Sequence, residues 1–275
     1  MIERQIPKTG EAIPAVGIGT WSTFDVGAGA ARAPLKDVLE KFYAAGGRVI
    51  DSSPMYGKAE GVAGDLIAET NARPKTFIAT KVWIEGRERG IAQMERSFRL
   101  FKTDVIDLMQ VHNLVDWRTQ LATMRDMKAK GRLRYIGITH YTSSALPDLA
   151  RVLESERDID FVQFAYSIGV REPERRFLSL CKDLGVATLI NRPLEGGGLL
   201  RGAARRPLPD WAGTELDCTS WAQLFLKYIR AHPAVTAIIP ATSNPVHMAD
   251  DLKAGEGRLP DEKMRKRMVE YVASL

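Results

Sequence analysis

The stretch 48-RVIDSSPMYGKAEGVAG-64 contains one complete unit of strand, turn and helix. A short apolar run ends at Asp51, a Ser-Ser-Pro turn follows, and a helix-like segment begins near Lys58. Val and Ile favour a strand, whereas Pro and Gly interrupt regular structure. The turn that joins the two elements therefore brings an acid, Asp51, and a phenol, Tyr56, close together in sequence.

The same unit recurs along the chain. The strand-like runs are "VGIG" from Val16, "RVID", "TFIATK", "VIDLMQVH", "RLRYIGI", "DFVQF", "VATLI" and "TAIIP". The helix-like segments begin at Pro34 and near Lys58, Arg87, Asp116, Ser143, Glu172, Cys218 and Pro245. Eight short apolar strands that alternate with helices predict an α/β fold, a closed (β/α)8 TIM barrel, here with an N-terminal β-hairpin whose turn is at 8–10. An open doubly wound sheet is the alternative, but no G-x-G-x-x-G follows any strand.

Composition predicts an ordinary globular protein, since 45% of the residues are hydrophobic and the net charge is only +5. No Pro/Gly/Ser-rich linker divides the chain, so we expect a single domain over 1–275. The densest basic segment, "RGAARRP" at 201–207, is typical of a solvated loop, and we expect no nucleic-acid partner. The well-separated Cys181 and Cys218 indicate neither a disulfide framework nor a CxxC pair.

The chain has no apolar run long enough to span a membrane, and its N-terminal segment "MIERQIPKTGE" has no signal-peptide core. We therefore expect a soluble cytoplasmic protein without a membrane partner, with an exported form whose signal has been removed as the alternative. We expect a monomer or a weak oligomer.

Titratable residues stand at or just after the ends of three consecutive predicted strands. The second strand ends at Asp51, the third at Lys81 and the fourth at His112, and Tyr56 follows the second. Singly, each residue has a structural explanation as a cap, a surface amine, a core histidine or a packed ring. The carboxyl ends of barrel strands meet at one rim, however, so together these residues predict a site.

The chemistry of this group is that of proton transfer. A phenol is a poor acid at neutral pH, and a neighbouring ammonium favours its ionised form. Lys81 would supply that charge and Asp51 would hold Lys81, while His112 would hydrogen-bond the substrate oxygen or share its proton. Tyr56 is then a general acid for an oxygen that gains negative charge, as a carbonyl does when it accepts hydride.

The segments "VIDSSPMYGKAEGVAG", "FIATKVW" and "LMQVHN" resemble the signature segments of the aldo-keto reductases, a barrel family that reduces carbonyls with a nicotinamide cofactor. The resemblance extends from "VGIGTW" to "IIPATSNPVHMADDL". It implies reduction of a small-molecule aldehyde or ketone, with Asp51, Tyr56, Lys81 and His112 as the catalytic residues.

The resemblance also implies a cofactor site without a glycine-rich Rossmann turn. The positions implied for its nicotinamide and pyrophosphate are Gly19, Thr20, Trp21, Asp51, Thr139, His140, Gln163, Asn191, Arg192, Pro193, Leu194 and Gly196. Thr139 and His140 stand where the family commonly has Ser-Asn. Asn191 and Arg192 stand in the segment where an aromatic ring often stacks on the nicotinamide.

The last strand–helix unit is implied to contact the adenosine end of the cofactor. The residues at the matching positions are Thr242, Ser243, His247, Asp250 and Asp251. Many members have Lys-Ser and Arg there to bind the phosphate of NADPH, whereas this chain has Ala241, Thr242 and His247. Backbone amides at the helix start near Pro245 would compensate for the missing cations. We therefore predict NADPH, with NADH as the alternative.

Trp21, Met55, Trp83 and His112 are predicted to form the substrate pocket. The sequence given ends soon after the helix-like segment "DEKMRKRMVEYVASL", which leaves little of the long C-terminal tail that closes the pocket in many members of the family, so we expect a fairly open site. A non-catalytic regulatory or redox-sensing subunit that binds the cofactor is the rival interpretation. A metal-dependent lyase or hydrolase is a third, which the dispersed histidines without an HExxH motif disfavour.

Overall fold

The computed structural model describes residues 1–274. Within them, a two-stranded antiparallel pair precedes an eight-stranded parallel sheet whose strands are neighbours in chain order. The strands are β1 (Glu3–Gln5), β2 (Ala12–Pro14), β3 (Ile18–Gly19), β4 (Val49–Asp51), β5 (Phe77–Val82), β6 (Ile106–His112), β7 (Leu133–Thr139), β8 (Phe161–Ala165), β9 (Ala187–Asn191) and β10 (Ala237–Ile238).

The sheet closes on itself between its first and last strands. Val16 forms a parallel bridge with Ile238, and the amides of Gly17 and Gly19 donate to the carbonyls of Ile238 and Pro240, each at 2.8 Å. The predicted (β/α)8 barrel with an N-terminal hairpin is therefore confirmed.

Helices follow the strands and cover the outside of the sheet. They are α1 (Ala33–Ala44), α2 (Ala59–Glu69), α3 (Arg87–Phe101), α4 (Trp117–Ala129), α5 (Leu146–Ser155), α6 (Phe177–Asp183), α7 (Gly198–Ala203), α8 (Asp210–Leu216), α9 (Trp221–Arg230), α10 (Pro245–Leu252) and α11 (Glu262–Ala273). The sequence pattern does not predict α7 and α8, which are short and lie in a segment interrupted by Gly and Pro. It also starts α9 too early, because Asp217 is in the left-handed region at the end of α8 and Ser220 caps α9.

The apolar residues form an inner and an outer core. The outer core lies between the sheet and its helices, and the inner core fills the barrel. Ile6 and Ile13 belong to the inner core, together with strand-starting residues such as Phe77 and Phe161, so the hairpin closes the amino end of the barrel. The carboxyl ends of the strands stay open for a site. Within residues 1–274, no helix combines the length and apolarity needed to cross a membrane.

Candidate active site

A cavity of about 530 Å³ lies over the carboxyl ends of the barrel strands. Most of the residues that the sequence predicts for the site line it, namely Gly19, Thr20, Trp21, Asp51, Met55, Tyr56, His112, Thr139, Gln163, Asn191, Arg192, Pro193, Leu194 and Gly196. They come from widely separated segments, and the closed sheet brings them together.

Asp51 is the centre of a buried polar cluster on the floor of this cavity. Lys81 Nζ donates to Asp51 Oδ2 and to the carbonyl of Ser52, both at 2.6 Å. Gln163 Nε2 and Gln110 Nε2 donate to Asp51 Oδ1 at 2.8 and 3.3 Å. Asp51 and Lys81 are 3% and 0% exposed, so each charge is compensated by a partner rather than by water. The cluster holds the ammonium in one position.

The phenol of Tyr56 lies above this ammonium. Lys81 Nζ is 5.2 Å from the centroid of the Tyr56 ring. Burial raises the pKa of Tyr56 by more than the charge of Lys81 lowers it, so the net pKa lies above its ordinary value. Burial by itself would lower the pKa of Lys81, but attraction to Asp51 and Tyr56 outweighs it and the pKa is raised. Lys81 thus acts in the predicted direction, although burial keeps Tyr56 protonated.

His112 faces the same space from the end of β6. Its ring lies edge-on to that of Tyr56, with centroids 6.2 Å apart and planes at 88°. Burial, and then the charge of Lys81, lower the pKa of His112 to about 3. His112 is therefore a neutral imidazole at neutral pH, and Ser53 Oγ lies 3.0 Å from its Nδ1.

Amide and hydroxyl groups cover the opposite wall. Gln163 Oε1 accepts from Thr139 Oγ1 at 3.2 Å and from Asn191 Nδ2 at 3.4 Å. Asn191 Oδ1 is buried without a hydrogen-bond partner among the described residues. An unpaired buried acceptor is costly, and a ligand that carries an amide N–H would satisfy it. This wall fits the carboxamide of a nicotinamide.

The loop after β9 has a single charged residue on the cavity. Arg192 is exposed and carries the only fixed positive charge among the described residues that line the cavity. Gly196 has φ 63°, and a Cβ there would meet nothing within 4 Å. A phosphate can therefore approach both the loop backbone and a guanidinium.

Besides Lys81, two predicted residues lie near the cavity without lining it. Trp83 is exposed, with its ring centroid 6.2 Å from that of His112. His140 stacks on Tyr141 at 5.6 Å and 12°, and its Nδ1 accepts from the amide of Thr142 at 3.2 Å. The Nε2 of His140 is the nitrogen that remains for a ligand.

The residues predicted for the adenosine end, Thr242, Ser243, His247, Asp250 and Asp251, lie on and before α10, outside the cavity lining. The amide of Asn244 donates to Thr242 Oγ1, and that of Val246 to Asn244 Oδ1. Two amides at the helix start, those of Asn244 and Val246, are therefore already paired with side chains of the same segment.

The acids of α10 also have partners or little accessible surface. Asp250 accepts from Ser220 Oγ at 2.5 Å and Gln223 Nε2 at 2.6 Å. Asp251 is 4% exposed, and burial followed by repulsion from Asp250 raises its pKa to about 7. Asp251 thus offers a ligand almost no surface.

Sequence reasoning missed Gln110, Ser53 and Tyr141. Gln110 lies two residues before His112 in β6, so strand alternation would have placed it on the same face. Ser53 is buried and Tyr141 is 50% exposed on the cavity rim, and no sequence signal distinguishes either.

Comparisons with known proteins give a consistent result. The model of the aldo/keto reductase family matches residues 15–268. Aldo-keto reductase YhdN of Bacillus subtilis (strain 168) is 28% identical over 72% of this chain and 62% of its own length. Aldo-keto reductase str7 of Strobilurus tenacellus is 30% identical over 62% of this chain and 53% of its own length. The chain thus spans less than two thirds of either relative.

Solved structures match over nearly the whole chain. The thermostable aldo-keto reductase Tm1743, in complex with the inhibitor epalrestat, superposes with a TM-score of 0.81 and 26% identity, covering 98% of this chain and 99% of that one. An aldo-keto reductase from Klebsiella pneumoniae in complex with NADPH superposes with a TM-score of 0.82 and 23% identity, covering 99% of this chain and 96% of that one. At 23% identity, the second match supports the fold alone.

Proposed function

The chain belongs to the aldo/keto reductase family, and from this premise we propose that it reduces an aldehyde or ketone to the alcohol with NADPH. The observation that carries the proposal is the contact of a half-buried phenol with a buried ammonium, itself bound to a carboxylate, on the floor of the cavity. When bound, NADPH supplies the hydride. The protein then has to supply one proton to the carbonyl oxygen.

Tyr56 is the proposed proton donor. Its raised pKa keeps the phenol protonated until the oxygen gains negative charge. When the proton leaves, the positive charge of Lys81 stabilises the phenolate, and water returns a proton afterwards. Asp51 accepts from Lys81, Gln163 and Gln110, and so holds the ammonium in place.

His112 has a different role in this proposal. With its pKa lowered to about 3, it does not supply a proton as an imidazolium at neutral pH. A neutral imidazole can still donate one N–H hydrogen bond to the carbonyl oxygen and orient it towards Tyr56.

Several cavity residues support the choice of a nicotinamide dinucleotide. Asn191 Oδ1 and Gln163 would hold the carboxamide, and Arg192 with the backbone at Gly196 would hold the diphosphate. Thr242, Ser243 and His247 remain the proposed contacts of the phosphate that distinguishes NADPH from NADH. Because two of the amides beside them, those of Asn244 and Val246, are paired, we expect only a modest preference for NADPH.

The test is consumption of NADPH with 4-nitrobenzaldehyde, followed by the loss of absorbance of the reduced cofactor. We expect Tyr56→Phe to lower kcat at least about 100-fold while NADPH still quenches the protein's tryptophan fluorescence. Tyr43→Phe is the matched control, because this buried phenol on α1 bonds to Thr76 outside the cavity. Equal activity of Tyr56→Phe and wild type would contradict the assignment.

The same assay separates the rival interpretation. A regulatory or redox-sensing subunit would bind NADPH and reduce no aldehyde or ketone in a broad panel. Measuring turnover with NADPH and NADH side by side tests the cofactor preference.

A further inference from the structure

Ser53 is a buried serine whose hydroxyl faces a catalytic candidate. It is 0% exposed in the turn after β4, and its Oγ lies 3.0 Å from Nδ1 of His112. Within residues 1–274, this is the one hydrogen bond that the His112 ring makes. Among the described residues, Ser53 is therefore the hydrogen-bond partner that can fix the position of the imidazole proton.

The surroundings of Ser53 determine the direction of this hydrogen bond. The amide of Met55 lies 3.4 Å from Ser53 Oγ and can only donate to it. The hydroxyl proton then needs an acceptor, and Nδ1 of His112 is the acceptor within reach among the described residues. The reverse arrangement, with Nδ1–H donating, would leave a buried hydroxyl proton unpaired, which costs free energy.

We propose that Ser53 is a positioning residue that holds His112 in the tautomer with its proton on Nε2. His112 lines the cavity, and with Nδ1 occupied by Ser53 the Nε2–H remains to donate to a ligand. In the other tautomer a lone pair on Nε2 would face an oxygen that gains negative charge, which is repulsive. The proposal rests on the carbonyl reduction proposed above for its kinetic consequence, but not for the tautomer itself.

The decisive measurement is a two-bond ¹H–¹⁵N correlation spectrum of the full chain labelled with ¹⁵N-histidine. This experiment distinguishes the two neutral tautomers and the imidazolium, and the His112 signals are assigned by their loss in His112→Asn. We expect one species with the proton on Nε2 in the wild type, and a mixture of tautomers in Ser53→Ala. Ser52→Ala is the matched control for the spectrum, because the adjacent buried Ser52 bonds to Thr20 rather than to His112.

Kinetics give a second readout. We expect Ser53→Ala to lower kcat with 4-nitrobenzaldehyde roughly fivefold, the loss typical of one hydrogen bond, with NADPH affinity retained. Ser53→Cys, which keeps a weak donor at similar volume, should fall between Ser53→Ala and wild type and also serves if Ser53→Ala does not fold.

The outcomes separate the two proposals. A wild-type spectrum with the proton on Nδ1, or a Ser53→Ala spectrum identical to that of the wild type, would overturn the assignment to Ser53. If wild type reduces no carbonyl, the proposed function fails, and the spectra still decide what Ser53 does to His112.

Discussion

Replacing His112 by Asn should make the stability of the protein less sensitive to acid. The pKa of His112 is lowered from 6.5 to about 3 in the folded protein, mainly by burial. Between these values the unfolded chain binds a proton that the folded chain does not, so acid favours unfolding. The contribution of neutral His112 to the free energy of unfolding is fully present above pH 6.5 and decreases as the pH falls from 6.5 to about 3.

The size of the effect follows from the shift. Each pH unit within this window lowers the free energy of unfolding by about 1.4 kcal/mol. At pH 5 the wild type should therefore lose about 2 kcal/mol of unfolding free energy that His112→Asn does not lose. The other titrating groups are common to both proteins and cancel in the comparison. His112→Asn can lower stability at every pH without affecting this difference.

The assay is urea unfolding of wild type and His112→Asn at pH 7.5 and pH 5.0, with reversibility checked by refolding. The quantity compared is the change in the free energy of unfolding between the two pH values. If both proteins change by the same amount, the pKa of His112 is the same in the folded and the unfolded chain, and the inference that burial lowers it is wrong.

Three further outcomes test other parts of the structure. Gln110→Leu removes a 3.3 Å hydrogen bond to Asp51, and kcat should fall roughly fivefold while KM for the aldehyde stays within about twofold. Gly64→Ala would place a Cβ 2.0 Å from the backbone carbonyl oxygen of Leu100 in α3, and urea unfolding should show the free energy of unfolding lowered by about 3 kcal/mol. The control is Gly61→Ala on the same helix face, where the nearest contact of the Cβ is 3.4 Å. This variant should lower the free energy of unfolding by less than about 1 kcal/mol. Both cysteines are buried with raised pKa values, about 12 for Cys181, so a thiol reagent should modify them only after unfolding.

The strand ends were predictable because a barrel follows a simple rule. Each short apolar run ends at the same rim, so the residue that closes it has a known place once the repeats are counted. Asp51 and His112 close β4 and β6 as predicted, whereas β5 closes at Val82, one residue after Lys81. The same rule would also have identified Gln110, two residues before His112. The local sequence also located Tyr56, in the turn after β4.

Other features depended on contacts that sequence spacing does not encode. The amides of Asn244 and Val246 at the start of α10 are paired with the side chains of Thr242 and Asn244, which is why we expect weak phosphate contacts there. The net pKa of Tyr56 depends on how much burial opposes the charge of Lys81. Burial is a property of the packed protein. The residue types alone therefore give the direction in which each neighbour shifts the pKa of Tyr56, but not the direction of the total shift.

By itself, the sequence determined the barrel, the rim on which the site lies and the chemical groups delivered to it, because these follow from periodicity and chain order. Only the tertiary structure decided that two glutamines hold Asp51 and that Ser53 faces His112. These contacts join residues 59 to 112 positions apart, and such contacts exist only after the sheet has closed.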